Sequence, residues 1–129
     1  MRTPTDAELH LHEAARSAIE RAYAPYSGFP VAAAVRTAGG AVFLGVNVEN
    51  ASYGLTSCAE RNAVFAAIAA GHRRLEAVAV HAESDSAAPC GACRQVLHQF
   101  GAGMTVVFPH GGALVAASLE ELLPAAFAL

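Results

Sequence analysis

Thr56-Ser57-Cys58-Ala59-Glu60-Arg61-Asn62 sets a cysteine two positions before a carboxylate, at what reads as a helix start. Some thirty residues on, Pro89-Cys90-Gly91-Ala92-Cys93-Arg94 holds the only other cysteines, spaced Cys-x-x-Cys at a second apparent helix start. Three thiolates can hold a zinc ion and leave its fourth position open for water, as in a catalytic rather than a structural site. A glutamate beside that water is placed to move its protons. The two stretches together point to a zinc hydrolase acting on a small molecule.

Working outward, the helix that opens near Cys58 runs to about Ala70, with Val64, Phe65 and Ile68 as its apolar stripe and Gly71 at the usual helix-ending position. Upstream, Val31–Thr37 and Ala41–Asn47 read as strands around Ala38-Gly39-Gly40, a hairpin whose turn needs positive φ. Asn47-Val48-Glu49-Asn50 closes the second strand, and alternation puts Asn47 and Glu49 on one face, within reach of one ligand. Before the hairpin, Thr5-Asp6-Ala7-Glu8 fits a capping box. The helix it opens should end by Ala24, ahead of Pro25, with Leu9, His12, Ile19 and Tyr23 near one face.

Downstream, Leu75–His81 is apolar at nearly every position, the mark of a strand buried on both faces. The Cys-x-x-Cys helix follows, with Cys93, Val96, Leu97 and Phe100 at i, i+3, i+4, i+7, so Cys93 faces inward. Met104–Phe108 and Ala113–Ala117 read as two more strands, and Ser118-Leu119-Glu120-Glu121 as a capping box opening a short last helix. A helix, a hairpin, then alternating helices and strands make an α/β chain with a mixed sheet packed between helices.

At 129 residues the chain reads as one domain, residues 1–129. Alanine supplies 31 of the positions behind a hydrophobic share of 54%, so the charged fraction is more telling. It is 15%, against an average of about 25%, and so sparse a supply implies surface hidden between subunits. A net charge of −3 without a Lys/Arg run argues against a nucleic-acid surface. No apolar amino-terminal stretch reads as a signal peptide and no apolar run is long enough for a bilayer. Three cysteines cannot all pair within the chain, which fits a reducing compartment and a cytoplasmic location.

Each motif has a plainer reading. Cys-x-x-Cys alone also serves redox chemistry at a helix start, though that leaves Cys58 and Glu60 without a role. Ser57-Cys58-Ala59-Glu60 matches a capping box, which would make Glu60 a helix cap. Asn and Glu at a strand end are commonly just solvated. Three thiolates and a zinc dication also leave one net negative charge, so positive charge is needed nearby. Two helix amino termini supply part of it, and Arg61 or Arg94 could donate hydrogen bonds to the sulfurs.

Cys58-Ala59-Glu60 with Pro89-Cys90-Gly91-Ala92-Cys93 resembles the zinc-dependent nucleoside and nucleobase deaminases in their three-cysteine form. More narrowly, the chain resembles the small homotetrameric cytidine deaminases almost end to end. Tyr23-Ala24-Pro25-Tyr26-Ser27, Phe29-x-Val31, Asn47-Val48-Glu49-Asn50-Ala51, Cys58-Ala59-Glu60-Arg61, Pro89-Cys90-Gly91-Ala92-Cys93-Arg94-Gln95 and Glu121-Leu122-Leu123-Pro124 fall in that family's order.

The resemblance implies a three-layer fold around a mixed five-stranded sheet, and hydrolysis of cytidine or 2′-deoxycytidine to the uridine form with release of ammonia. It implies one Zn²⁺ per chain on Cys58, Cys90 and Cys93, with Glu60 shuttling protons and Arg61 steadying the cysteines. Asn47 and Glu49 would hold the ribose hydroxyls and Phe29 would pack on the base. Ala51, Tyr53 and Phe127 would come from neighbouring subunits of a homotetramer to complete each pocket. Ala32 and Ala126 stand where the family commonly has glycine, each adding a methyl group near a residue expected at the pocket. Blasticidin S deaminase, which shares the metal motif, is the nearest rival, and a catalytically silent zinc-binding assembly protein is an alternative of another class.

Overall fold

Side-chain caps set where two of the helices begin. The Thr5 hydroxyl accepts the Glu8 amide while the Glu8 carboxylate accepts the Thr5 amide, and Ser118 and Glu121 repeat the arrangement. The first pair opens α1 (Asp6–Arg16) and the second opens α4 (Leu119–Leu122). The two helices between them, α2 (Ala59–Ala69) and α3 (Gly91–Phe100), are instead each preceded by a cysteine at the cap position, Cys58 and Cys90. The computed structural model describes residues 1–129.

Five strands complete the element list: β1 (Val31–Thr37), β2 (Val42–Val46), β3 (Leu75–Ala82), β4 (Thr105–His110) and β5 (Ala113–Ser118). They form one mixed sheet in the order β2-β1-β3-β4-β5. β1 is antiparallel to both β2 and β3, and β4 to β5, while β3 and β4 are parallel. A parallel pair needs a crossover, and α3 supplies it. The β1–β2 turn is made at Gly40, whose φ of 93° is open to glycine.

Alternation along the strands builds two cores. Ala33, Val35, Val78 and Val80 turn to one face and pack with Ala63, Val64 and Ala67 of α2 and Leu97 of α3. Ala34, Ala77, Ala79 and Val107 turn to the other and pack on Leu11 and Ala15 of α1. The result is three layers, and β3 is buried along nearly its whole length, as its apolar run predicts.

Two helix readings need correction. α1 stops at Arg16, and a 3₁₀ turn over Ile19–Arg21 replaces its expected last turns. Ser17 bonds its hydroxyl back to the Ala14 carbonyl at 2.6 Å, a side-chain competition that weakens helices. Beyond it, Tyr23 exchanges backbone bonds with Asn47 and Glu49 at the sheet edge. The inward face is Leu11, His12 and Ala15, while Leu9 and Tyr23 are exposed. On α2, Phe65 is exposed and the alanines Ala59, Ala63 and Ala67 are buried. Gly45 explains this: a Cβ there would collide with the Ala63 amide and the Ala59 carbonyl. The helix backbone thus lies against β2, too close for large side chains. That approach places the start of α2, and Cys58 with it, over the end of the sheet.

Candidate active site

The starts of α2 and α3 converge. The sulfurs of Cys58, Cys90 and Cys93 lie within 4.8 Å of one another, with Cys58 and Cys90 3.8 Å apart. A tetrahedral zinc with Zn–S bonds of about 2.3 Å spaces its sulfurs by about 3.8 Å, so the spacing suits that ion. It is far longer than the ~2.05 Å of a disulfide, and all three cysteines are free. Both helix amino termini point their partial positive charge at the cluster.

Arg61 adds a full charge. Its Nη2 donates to Cys58 Sγ at 3.2 Å, and its buried Nε has no partner in the protein. Among the bare thiols, Cys58 is drawn down to about 5, first by the hydrogen bond from Cys93 and then by Arg61. Cys93 holds its proton, pushed up by that same bond and by burial. Arg61 and the two helix starts are thus placed to offset negative charge on the sulfurs. Arg94 behaves differently from Arg61: it donates to the Pro89 carbonyl and the Leu122 carbonyl, each at 2.8 Å, and records no bond to sulfur. It braces the loop before Cys90 against the end of α4.

Glu60 sits in the first turn of α2 and is 5% exposed. Burial pushes its carboxyl up from the ordinary range. The capping-box alternative is absent, because the Ser57 hydroxyl donates to Asn62 Oδ1 at 2.8 Å and the cap position falls on Cys58.

Glu60, Cys58 and Cys90 line a cavity of about 190 Å³ together with Phe29, Val31 and Asn47. A second cavity, of about 360 Å³, is lined by Tyr26, Ser27, Glu49 and Tyr53. Thr56 borders both. Asn47 and Glu49 thus face adjoining cavities rather than one. The Asn47 amide makes two backbone bonds, accepting from the Val31 N–H and donating to the Phe29 carbonyl, both at 2.9 Å, and its second N–H remains to meet a ligand. Glu49 accepts the Tyr26 and Ser27 amides and the Ser27 hydroxyl. Those bonds, the hydroxyl first, hold its carboxyl below the ordinary range.

Ala51 and Phe127 border neither cavity, and both are exposed. Tyr53, 74% exposed, meets Tyr26 edge-on at 5.8 Å. Thr56 and Ser27 are among the lining residues that sequence reasoning missed, with Tyr26, Val80, Ala87 and Ala88. Thr56 stands two positions before Cys58, and its hydroxyl accepts the Asn50 amide at 3.2 Å.

The two glycine-to-alanine departures fall differently from expectation. Ala32 shares its strand face with Ala34, on the α1 side, so its methyl points away from the thiols. Counting from Leu122-Leu123-Pro124 puts the second glycine position at Ala125, not Ala126. Ala125 takes a φ of 52°, in the left-handed region that costs a side chain energy.

A single mixed sheet between helix layers, with convergent thiols and a buried carboxylate at two helix starts, is the architecture of a zinc-dependent hydrolase. Residues 5–109 match the family model for the cytidine and deoxycytidylate deaminase zinc-binding region. The cytidine deaminase of Halalkalibacterium halodurans is 45% identical over 125 residues, 95% of this chain and 94% of that one. The crystal structure of cytidine deaminase from Burkholderia pseudomallei superposes with a TM-score of 0.87 at 50% identity, covering 96% and 100% of the two chains. Blasticidin-S deaminase of Bacillus cereus is more distant, at 30% over 103 residues, 73% of this chain and 74% of that one. The chain belongs to the cytidine and deoxycytidylate deaminase family, and its three thiols fit that family's zinc, one ion per chain.

Proposed function

We propose that this protein hydrolyses cytidine and 2′-deoxycytidine to uridine and 2′-deoxyuridine, releasing ammonia, as part of pyrimidine salvage. The observation that carries the reading is the meeting of three thiols, a buried Glu60 and Phe29 at one cavity. Cys58, Cys90 and Cys93 would hold zinc, which when bound would acidify a water molecule. Glu60 takes one proton from the attacking water and passes it to N3 of the pyrimidine, then takes the second from the hydroxyl formed on C4 and delivers it to the departing amino group. The water oxygen ends on C4 and the amino nitrogen leaves. One carboxylate suffices because the transfers are sequential, and its apolar surroundings keep it ready to gain a proton as well as lose one. Arg61 offsets thiolate charge.

In this reading Phe29 packs on the base in the smaller cavity, while Glu49 and Asn47 read the ribose. A cavity of about 190 Å³ is smaller than the roughly 300 Å³ at which ligand pockets begin. Residues from neighbouring copies would close it, with Ala51, Tyr53 and Phe127 as the contributors in a homotetramer. Supporting this, Leu44, Val48 and Leu55 are exposed around one depression, and Phe65 and Phe127 are exposed elsewhere. No helix is long and apolar enough to cross a membrane, and the three free thiols suit the cytoplasm. We read residues 1–129 as one catalytic domain.

The test is loss of cytosine absorbance with cytidine, free cytosine and blasticidin S as substrates. Cytidine should turn over with a kcat/KM far above that of cytosine, because a site built to bond the sugar leaves polar groups unpaired without it. Equal values for the two would show that the sugar is not read. Preference for blasticidin S would move the assignment to the rival, and no turnover of any would leave a silent zinc protein.

A further inference from the structure

The loop between α1 and β1 carries Phe29 and is fastened by the side chains of Ser27, Glu49 and Asn47. Ser27 Oγ donates its proton to Glu49 Oε2 and accepts the Phe29 N–H at 3.0 Å. The Ser27 and Tyr26 amides close on Glu49 Oε1 at 3.0 and 2.9 Å. Gly28, between the two bonded residues, takes a φ of 64° and returns its own N–H to the Ala24 carbonyl at 3.0 Å. The loop is therefore a tight turn around one hydroxyl. From the other side, Asn47 Nδ2 holds the Phe29 carbonyl.

We propose that Ser27 is a positioning residue for the deamination: its hydroxyl ties the Glu49 carboxylate in the larger cavity to the Phe29 backbone in the smaller one, so sugar contact and base packing are set together. The inference rests on the nucleoside reading above. A hydroxyl suits the place because it carries one donor and two acceptor sites. Giving the proton to a carboxylate makes the stronger, charge-assisted bond, and a lone pair remains for the Phe29 amide. Alanine would keep the two amide bonds to Oε1 but sever the link. Threonine would keep it.

The test compares Ser27→Ala and Ser27→Thr with the wild type as full-length, zinc-loaded protein. The measurements are kcat and KM for cytidine, kcat/KM for free cytosine, zinc content and melting temperature. Zinc and Glu60 lie outside the linked group, so Ser27→Ala should keep one zinc and a kcat within about twofold. Its KM for cytidine should rise about tenfold, the loss expected for one charge-assisted hydrogen bond that serves binding. Its preference for cytidine over cytosine should fall by a similar factor, and Ser27→Thr should restore most of both. A lowered melting temperature with KM and base preference unchanged would overturn the proposal, leaving Ser27 a structural residue only. So would a threonine variant as impaired as the alanine one. Wild-type protein inactive on cytidine would overturn the nucleoside reading itself, and this proposal with it.

Discussion

Glu60 concentrates the chemistry in one side chain. Burial raises its proton affinity, it borders the same cavity as two of the three thiols, and no cap bond employs it. Glu60→Gln keeps the shape and removes the proton exchange. That variant should retain zinc and fold while kcat falls by at least the ~10²–10⁴-fold typical of lost acid–base help. If the residue only steadied the start of α2, the change would cost about 1 kcal/mol of stability and spare the rate. Steady-state kinetics beside a melting curve separate the two. Cys58, Glu60, Cys90 and Cys93 were legible in the sequence because few roles suit those residue types at those spacings. Ser27 and Thr56 were not, since each matters through partners 22 and six positions away that only the fold brings near.

The elements teach a related lesson about small residues. The strands and their order of appearance followed from alternation and apolar runs. The face of α2 followed only in part: Val64 and Ile68 pack on the core as expected, but Phe65 is exposed, and the alanines that meet Gly45 and β2 gave no signal in the sequence. The end of α1 was equally hidden, being decided by the Ser17 back-bond and by the recruitment of Tyr23 to the sheet edge. α1 nevertheless holds a feature the alternation implies: His12 meets His81 of β3 across the layer at 3.1 Å, both buried, and Glu83 accepts the outer face of His81. Burial and the neighbouring His81 and Arg16 lower the proton affinity of His12, with Glu13 opposing. A histidine whose folded pKa is depressed stabilises the fold above its unfolded value of about 6.5. That contribution is lost as pH falls through the folded value. The melting temperature should therefore drop between pH 7 and pH 5, and less steeply in His12→Asn, whose amide takes no proton. Equal slopes would show that the pair does not link α1 to β3 in this way.

At the scale of the whole molecule, a chain with 15% charged residues leaves Tyr53, Leu55, Phe65 and Phe127 in the open. The Gln95 amide fastens the Phe127 carbonyl at 3.0 Å while the ring projects outward. If that ring completes a neighbour's pocket, Phe127→Ala and Glu60→Ala should each impair a homotetramer. Co-expressed, they should recover activity at mixed sites that join an intact Glu60 to an intact Phe127. With mixed tetramers verified by mass, an absence of recovery would assign the ring to its own subunit. The central claim, however, is that activity resides in a zinc held by Cys58, Cys90 and Cys93. Its most direct test is to strip the metal with a chelator and restore it stepwise, following cytidine turnover against bound zinc. The apoprotein should be silent and its activity should rise in proportion to zinc up to one ion per chain; full turnover in zinc-free protein would overturn the assignment.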